Sequence, residues 1–139
     1  MGLIYADIEL INSDDLALLR RGYIGEDQVK KIIVKALVDS GAYMLAINEH
    51  LKYQLDLPQL DQQIAELADG SKIKLDIVGP VDLRFENRAT TCRAMVLPGD
   101  SEILLGSIPM EDMDLLIDPK RQRLIVNPET PYLAKKPLK

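Results

Sequence analysis

The chain has 139 residues, a length typical of one domain, and 47% of them are hydrophobic, which is enough for one core. It has no Trp and one Phe, so we expect that core to be aliphatic. Charged residues make up 28% of the chain, and this fraction excludes wholesale disorder. The net charge is −5, which argues against nucleic acids and anionic membranes as partners, because both bind basic surfaces.

Short strands and turns dominate the predicted elements of the first third of the chain. Apolar and polar residues alternate over 3–11, and a β-branched run follows at 29–38, so each segment predicts a strand. The polar stretch between them, 13–27, favours a hairpin excursion or insertion, with room for one helical turn at 16–21. Asn48 is a suitable cap for a short helix that follows it.

The rest of the chain continues in short elements. Asp69-Gly70 predicts a tight turn between strands at 64–68 and 71–78, and Gly79-Pro80 is expected to break the chain. Further strands are predicted at 81–86, 89–97, 102–105, 115–117 and 123–126, with a short helix at 109–113. About nine short strands with no long helix between them predict a mainly β fold, a small barrel or sandwich.

The cysteine content and the N-terminal sequence suggest a compartment. Cys92 is the one cysteine, so no internal disulfide can form, and with one His no structural zinc site is expected. We interpret Cys92 as a small buried strand residue rather than a reactive thiol. No apolar run reaches the length of a membrane span, and Asp7 and Glu9 interrupt any signal-peptide core. We therefore expect a cytoplasmic protein with no membrane partner.

The C-terminal residues 128–139 are rich in Pro and Lys and predict a tail after a single domain of residues 1–127. From residue 119 onwards, six basic side chains stand against one acidic residue, Glu129. A solvated tail that lies near its own acidic domain is our interpretation, and a tail that binds a polyanion is the alternative.

Two groups of polar residues suggest chemistry but have simpler explanations. Glu111, Asp112, Asp114 and Asp118 do not have the spacing or the Gly of a calcium loop, so we assign them to a helix start and a turn, with no metal. His50 lies in a predicted first helical turn and is interpreted as a solvated residue, since no nucleophile accompanies it.

The motif Asp39-Ser40-Gly41 directly follows the most apolar predicted strand. An ionised carboxylate is costly at the end of a buried apolar segment, so its presence requires a reason. Gly41 permits a tight turn, and the Ser40 hydroxyl can fix the loop. The residues alone leave two interpretations: an aspartate that caps its own turn, and a functional carboxylate.

Three segments, in this order, resemble the retropepsin-like aspartic proteases. They are ALVDSGA at 36–42, ELADGSKIKL at 66–75 and ILLGSIP at 103–109, with a short predicted helix after the last. The resemblance extends over roughly 29–127 and fits a bacterial single-domain member. It implies a mainly β fold, a closed barrel or half-lobe with one or two short helices, that is active as a two-fold dimer.

The resemblance implies a homodimeric endopeptidase that cleaves peptide or protein substrates without a cofactor or metal. Each chain would supply one catalytic carboxylate, Asp39, which pairs with Asp39 of the second subunit and shares one proton with it. Ser40 and Gly41 would position the loop. The substrate-binding residues implied are Ala42 in the cleft and, from a flap at 67–73, Leu67, Ala68, Asp69, Gly70 and Ile73.

The chain also departs from the family pattern. The flap carries Asp69 and a single Gly, Ser-Ile-Pro follows Gly106, and the insertion at 13–27 lies outside the pattern. A carboxylate in the flap and a cytoplasmic pH above the usual optimum of a carboxyl dyad motivate an alternative: a non-proteolytic dimeric peptide-binding or regulatory module on the same fold.

Overall fold

The computed structural model describes residues 2–138 and is mainly β, as predicted. The strands are β1 (Tyr5–Asn12), β2 (Lys31–Val38), β3 (Leu45–Asn48), β4 (Gln59–Glu66), β5 (Lys72–Phe85), β6 (Arg88–Leu97), β7 (Leu104–Leu105), β8 (Leu115–Asp118) and β9 (Arg123–Val126). The helices are α1 (Ser13–Arg20), α2 (Glu49–Gln54) and α3 (Ser107–Asp112), with one 3-10 turn (Glu26–Gln28).

One sheet of seven strands forms the body, in the order β1-β2-β7-β3-β6-β5-β4. The long strand β5 also pairs with β1, so the sheet closes on itself, while β4 lies outside this closure on the other edge of β5. Strands β8 and β9 form a separate antiparallel hairpin. Closure provides pairing partners for the strand edges within the ring, which limits edge-to-edge aggregation.

Alternating side chains build the core within this closed sheet. In β1, Ala6, Ile8 and Leu10 are buried, whereas Tyr5 and Asp7 are exposed. The described core is aliphatic, as predicted, with Phe85 as its one aromatic member. Burying one such Leu or Ile side chain contributes about 1.5–3 kcal/mol.

The segment 13–27 connects the antiparallel strands β1 and β2 and contains α1, which begins at Ser13 and is longer than the single helical turn predicted at 16–21. The Asn12 side chain accepts a hydrogen bond from the Asp15 N–H (3.1 Å) and donates one to the Leu55 carbonyl (2.8 Å). Asn12 therefore caps the helix and ties it to the body, and the acidic first turn suits the positive helix end. With α1 there are three α-helices among the described residues, rather than one or two.

Two further strand predictions differ from the structure. Gly79-Pro80 does not end β5, which continues past it with a register shift against β6 between Val78 and Val81. Such a bulge accommodates a proline, which has no N–H to donate. The four-residue strand β3 was not predicted, whereas the Asn48 cap of α2 is confirmed by its bond from the Leu51 N–H (2.9 Å).

The C-terminal segment lies against the body. Asn87 donates to the Pro131 carbonyl (2.8 Å), Arg88 donates to the Thr130 carbonyl, and Lys136 pairs with Asp112 (3.0 Å). These contacts place basic tail residues beside the acidic domain surface. Within residues 2–138, no helix combines the length and hydropathy that a membrane crossing requires.

Candidate active site

The loop that contains Asp39 is positioned by an unusual strand arrangement. Strand β7 lies between β2 and β3, parallel to β2 and antiparallel to β3. The chain that leaves β2 must therefore cross the end of β7 before it enters β3. The Asp39 N–H donates to the Leu105 carbonyl (3.0 Å), which places the aspartate at the end of the parallel pair.

The Asp39 loop is a tight turn. Asp39 Oδ1 accepts the Gly41 N–H (3.0 Å), and the Asp39 carbonyl accepts the Ala42 N–H (3.0 Å). A Cβ at position 41 would lie 3.2 Å from Asp39 Oδ1, so glycine lets the carboxylate approach the backbone closely. Asp39 is half-buried, whereas Ser40 and Gly41 are exposed. A carboxylate accepts at both oxygens, so this bond is compatible with chemistry at Oδ2.

Gly106 fixes the same loop from the other side. A Cβ at this position would lie 2.3 Å from the Met44 carbonyl oxygen, a distance that no side chain tolerates. Two backbone bonds continue the contact into α3: the Ser107 N–H donates to the Ala42 carbonyl (2.9 Å), and the Ile108 N–H donates to the Tyr43 carbonyl (3.1 Å). Sequence analysis included Gly106 only within a motif, since one glycine after an apolar strand does not reveal its contact.

The predicted turn at Asp69-Gly70 is confirmed at the tip of the β4–β5 hairpin. The Leu67 N–H donates to the Ser71 carbonyl (2.8 Å), and Gly70 has a left-handed φ of +86°. Asp69 Oδ1 accepts both the Ser71 hydroxyl (2.5 Å) and the Ser71 N–H (2.9 Å). These two bonds lower the pKa of Asp69, so its carboxylate is engaged within the turn.

A cavity of about 400 Å³, here called the cleft cavity, lies between the Asp39 loop and the hairpin. Its lining residues are mostly apolar: Ala42, Tyr43, Met44, Ala46, Gln63, Ala65, Glu66, Met95, Leu97 and Leu104. Of the predicted substrate-binding residues, Ala42 lines this cavity, and Ile73 is the cross-strand partner of Ala65 in its wall.

The remaining predicted substrate-binding residues lie elsewhere on the hairpin. Leu67, Ala68, Asp69 and Gly70 are exposed at its tip, and the described cleft cavity is lined by the β4 stem instead. The structure therefore brings Ala42 and the hairpin stem together around one cavity, with the tip beyond it.

A groove of about 430 Å³ adjoins Asp39 and Ser40 on another side. The N-terminal residues Leu3 and Ile4 and, from β8, Ile117 line it. Leu3 is 70% exposed, and Ile117 is also exposed. The Val38 N–H donates to the Ile4 carbonyl (2.8 Å), so the N-terminal segment is held beside the end of β2. Exposed apolar side chains thus lie directly beside the loop carboxylate.

Comparison with known proteins gives one match. The family model described as aspartyl protease matches residues 25–108, more than half of the chain. The matched segment contains the Asp39 loop, the β4–β5 hairpin and Gly106. A search of curated proteins finds none that matches this chain.

Proposed function

The chain belongs to the aspartyl protease family, and from that premise we propose that it is a homodimeric endopeptidase in which Asp39 pairs with Asp39 of a second copy. The observation that carries the proposal is the position of Asp39. The Asp39 backbone is bonded to Leu105 and the carboxylate to its own turn, and Ala42, three residues later in the same loop, lines the cleft cavity.

Dimerisation is supported by the groove beside Asp39 and Ser40. Leu3 and Ile117 expose apolar surface there, and burying it against a second copy is favourable. A two-fold contact at this groove would bring the two Asp39 loops to a common axis. Each loop contributes one carboxylate, so the reaction needs both copies.

The proposed chemistry uses the two carboxylates in different protonation states. Two carboxylates in close contact cannot both ionise, so the pair holds one proton. The ionised group takes a proton from a bound water, and the resulting oxygen nucleophile attacks the peptide carbonyl. The protonated group donates its proton to the carbonyl oxygen. As the C–N bond breaks, the group that took the proton from water passes it to the leaving nitrogen, and the other group takes its proton back from the tetrahedral intermediate, giving a carboxyl and an amine.

The cleft cavity supports binding of an extended peptide through apolar side chains. Met44 and Met95 line it, and their flexible thioether side chains adapt to different shapes. We propose that Ala42 contacts the substrate there, and that Leu67, Ala68, Asp69, Gly70 and Ile73 belong to a flap that closes over it. Closure would exclude water other than the nucleophile. With one cysteine, the protein suits a reducing compartment, and we propose the cytoplasm.

The bond from the Gly41 N–H to Asp39 favours one alternative function. An aspartate that serves only its own turn would leave a dimer that binds peptides without cleaving them. Both functions use the same cleft, and they differ in what Asp39 does.

The test is cleavage of a mixed peptide library from acidic to neutral pH, by wild type and by Asp39→Asn, with molecular mass measured in the same buffer. We expect a dimeric wild type that cleaves, and a dimeric Asp39→Asn that cleaves at least about 100-fold more slowly. Equal cleavage by the two proteins would overturn the dyad. Tight binding without cleavage by either protein would support the binding module, and a monomer would exclude both.

A further inference from the structure

Asp114 lies at the junction between α3 and β8 and joins it to the C-terminal segment of the chain. Its carboxylate accepts three hydrogen bonds, from the Asn127 side-chain amide (3.0 Å), the Thr130 hydroxyl (2.6 Å) and the Lys135 N–H (3.0 Å). Its carbonyl accepts a fourth, from the Asn127 N–H (3.2 Å). One aspartate therefore holds both ends of residues 127–136, here called the C-terminal strap.

The C-terminal strap is held by charge as well as by hydrogen bonds. The bonds from Thr130, Asn127 and Lys135 lower the pKa of Asp114 to about 2, so its carboxylate is ionised at any physiological pH. Arg88 is a buried cation that donates to the Thr130 carbonyl, and its charge also lowers the pKa of Asp114. A hydrogen bond to an ionised group is stronger than one between neutral groups, so the Thr130 hydroxyl contributes substantially to this contact.

The C-terminal strap also holds one end of α3. Asp112, the last residue of this helix, pairs with Lys136 (3.0 Å) and accepts the Thr90 hydroxyl from β6. The other end of α3 is bonded to the Asp39 loop, through the N–H groups of Ser107 and Ile108. A helix of six residues is about 9 Å long and shifts as one body. The strap and the Asp39 loop are therefore connected through α3.

Strand β8 connects the C-terminal strap to the proposed dimer contact. It begins at Leu115, directly after Asp114, and its Ile117 lines the groove beside Asp39 and Ser40. The position of this groove wall therefore depends on where Asp114 is held. Both chain directions from Asp114 lead to the candidate site, since α3 contacts the Asp39 loop and β8 lines the groove beside it.

We propose that Asp114 is a positioning residue for the dimer: by holding the C-terminal strap it fixes α3 and β8, and thereby the Asp39 loop and the groove at which a second copy packs. This inference rests on the proposed function, because it takes that groove as the dimer contact. It gives the strap a role that a solvated tail would not have. A strap that adds only to the stability of the folded chain is the competing explanation.

The test removes one bond of the C-terminal strap without changing the size of the side chain. Thr130 is half-buried, and Thr130→Val replaces its hydroxyl with a methyl group of similar size, so the variant should fold. Thr130→Ser keeps the hydroxyl and should rescue the effect. The matched control is Thr91→Val, which removes a hydroxyl that donates to Asp82 (3.4 Å) on the exposed side of β6, outside the strap.

The first readout is the Kd of the dimer, measured by sedimentation at several protein concentrations. We expect Thr130→Val to raise this Kd roughly fivefold, because fewer monomers hold α3 and β8 in the arrangement that pairs. Thr130→Ser and Thr91→Val should stay within about twofold of wild type. A role in stability alone would lower the urea midpoint of Thr130→Val and leave its Kd unchanged, since the chains are folded without urea. That result would overturn the proposal.

The second readout is amide hydrogen exchange in wild type and Thr130→Val. We expect exchange about tenfold faster at Ser107 and Ile108, which donate to the Asp39 loop, and unchanged exchange at Leu67 in the β4–β5 hairpin. Unchanged exchange at Ser107 and Ile108 would contradict the connection through α3. Neither readout requires cleavage, so a wild-type dimer that cleaves no peptide would exclude the proposed protease, while the Kd and the exchange rates still decide the role of Asp114. A monomeric wild type would exclude both.

Discussion

Asp39 and Asp69 lie in two turns that have the same local bond. In each, Oδ1 of the aspartate accepts the N–H of the residue two positions later: Gly41 at 3.0 Å and Ser71 at 2.9 Å. Around this shared bond the two regions differ. The Asp39 loop is held by Leu105 and α3, which are distant in sequence, whereas the hairpin bonds found around Asp69 link residues within 67–71.

This comparison indicates what distinguishes a candidate catalytic aspartate from a turn aspartate. The Asx-type bond forms wherever an aspartate precedes a suitable turn, and because both turns have it, it does not distinguish Asp39 from Asp69. The contacts from β7 and α3 hold the Asp39 loop in one place relative to the cleft cavity. We infer that the Asp39 loop is rigid and that the Asp69 turn opens locally. A protease of this kind needs both a fixed catalytic carboxylate and a flap that can open for the substrate.

The largest effect is expected for Gly106→Ala, which disrupts the contact between the start of α3 and the Asp39 loop. The added Cβ would lie 2.3 Å from the Met44 carbonyl oxygen, so β7 and the Asp39 loop would have to separate. We expect the free energy of unfolding to fall by about 3 kcal/mol, measured by urea denaturation. A loss below about 1 kcal/mol would mean that the loop moves as readily as the hairpin, and the comparison would fail.

The sequence predicted the parts of the molecule that depend on neighbours along the chain. Alternation predicted β1, a cap residue predicted α2, and Asp69-Gly70 predicted the hairpin turn. The start of α1 also had a local signal, since Asn12 precedes two aspartates, although only one helical turn at 16–21 was predicted within the segment 13–27.

The missed features depend on contacts between distant segments. Nothing near Gly106 in sequence reveals that it packs on Met44, and nothing near residues 104–105 reveals that β7 lies between β2 and β3. Asp39 was recognised through the order of three motifs, and its side-chain role stays a prediction.

A smaller effect is expected for Gly70→Ala, which is the matched change at the tip of the β4–β5 hairpin. Gly70 has a φ of +86°, and nothing within 4 Å would meet an added Cβ, so backbone strain is the only cost. We expect a loss of about 1 kcal/mol in unfolding free energy. Amide hydrogen exchange should become faster at Leu67 and stay unchanged at Ala42. Faster exchange at both positions would show that the two regions open together.

The smallest effect is expected for Ser71→Ala, which removes one of the two bonds that Ser71 donates to the Asp69 carboxylate. The Ser71 hydroxyl is the main cause of the lowered pKa of Asp69, and the Ser71 N–H is the second. Because the folded-state pKa is lowered, the turn gains stability above the ordinary carboxyl pKa and loses it as the pH falls through the folded value. Removing the hydroxyl should raise the Asp69 pKa towards its ordinary value, as followed by NMR titration of the side-chain carboxyl. An unchanged Asp69 pKa in Ser71→Ala would mean that the bond from the backbone N–H alone lowers it. The Asp39 and Asp69 carboxylates would then depend on the same local bond, and the two turns would differ only in their contacts with distant segments.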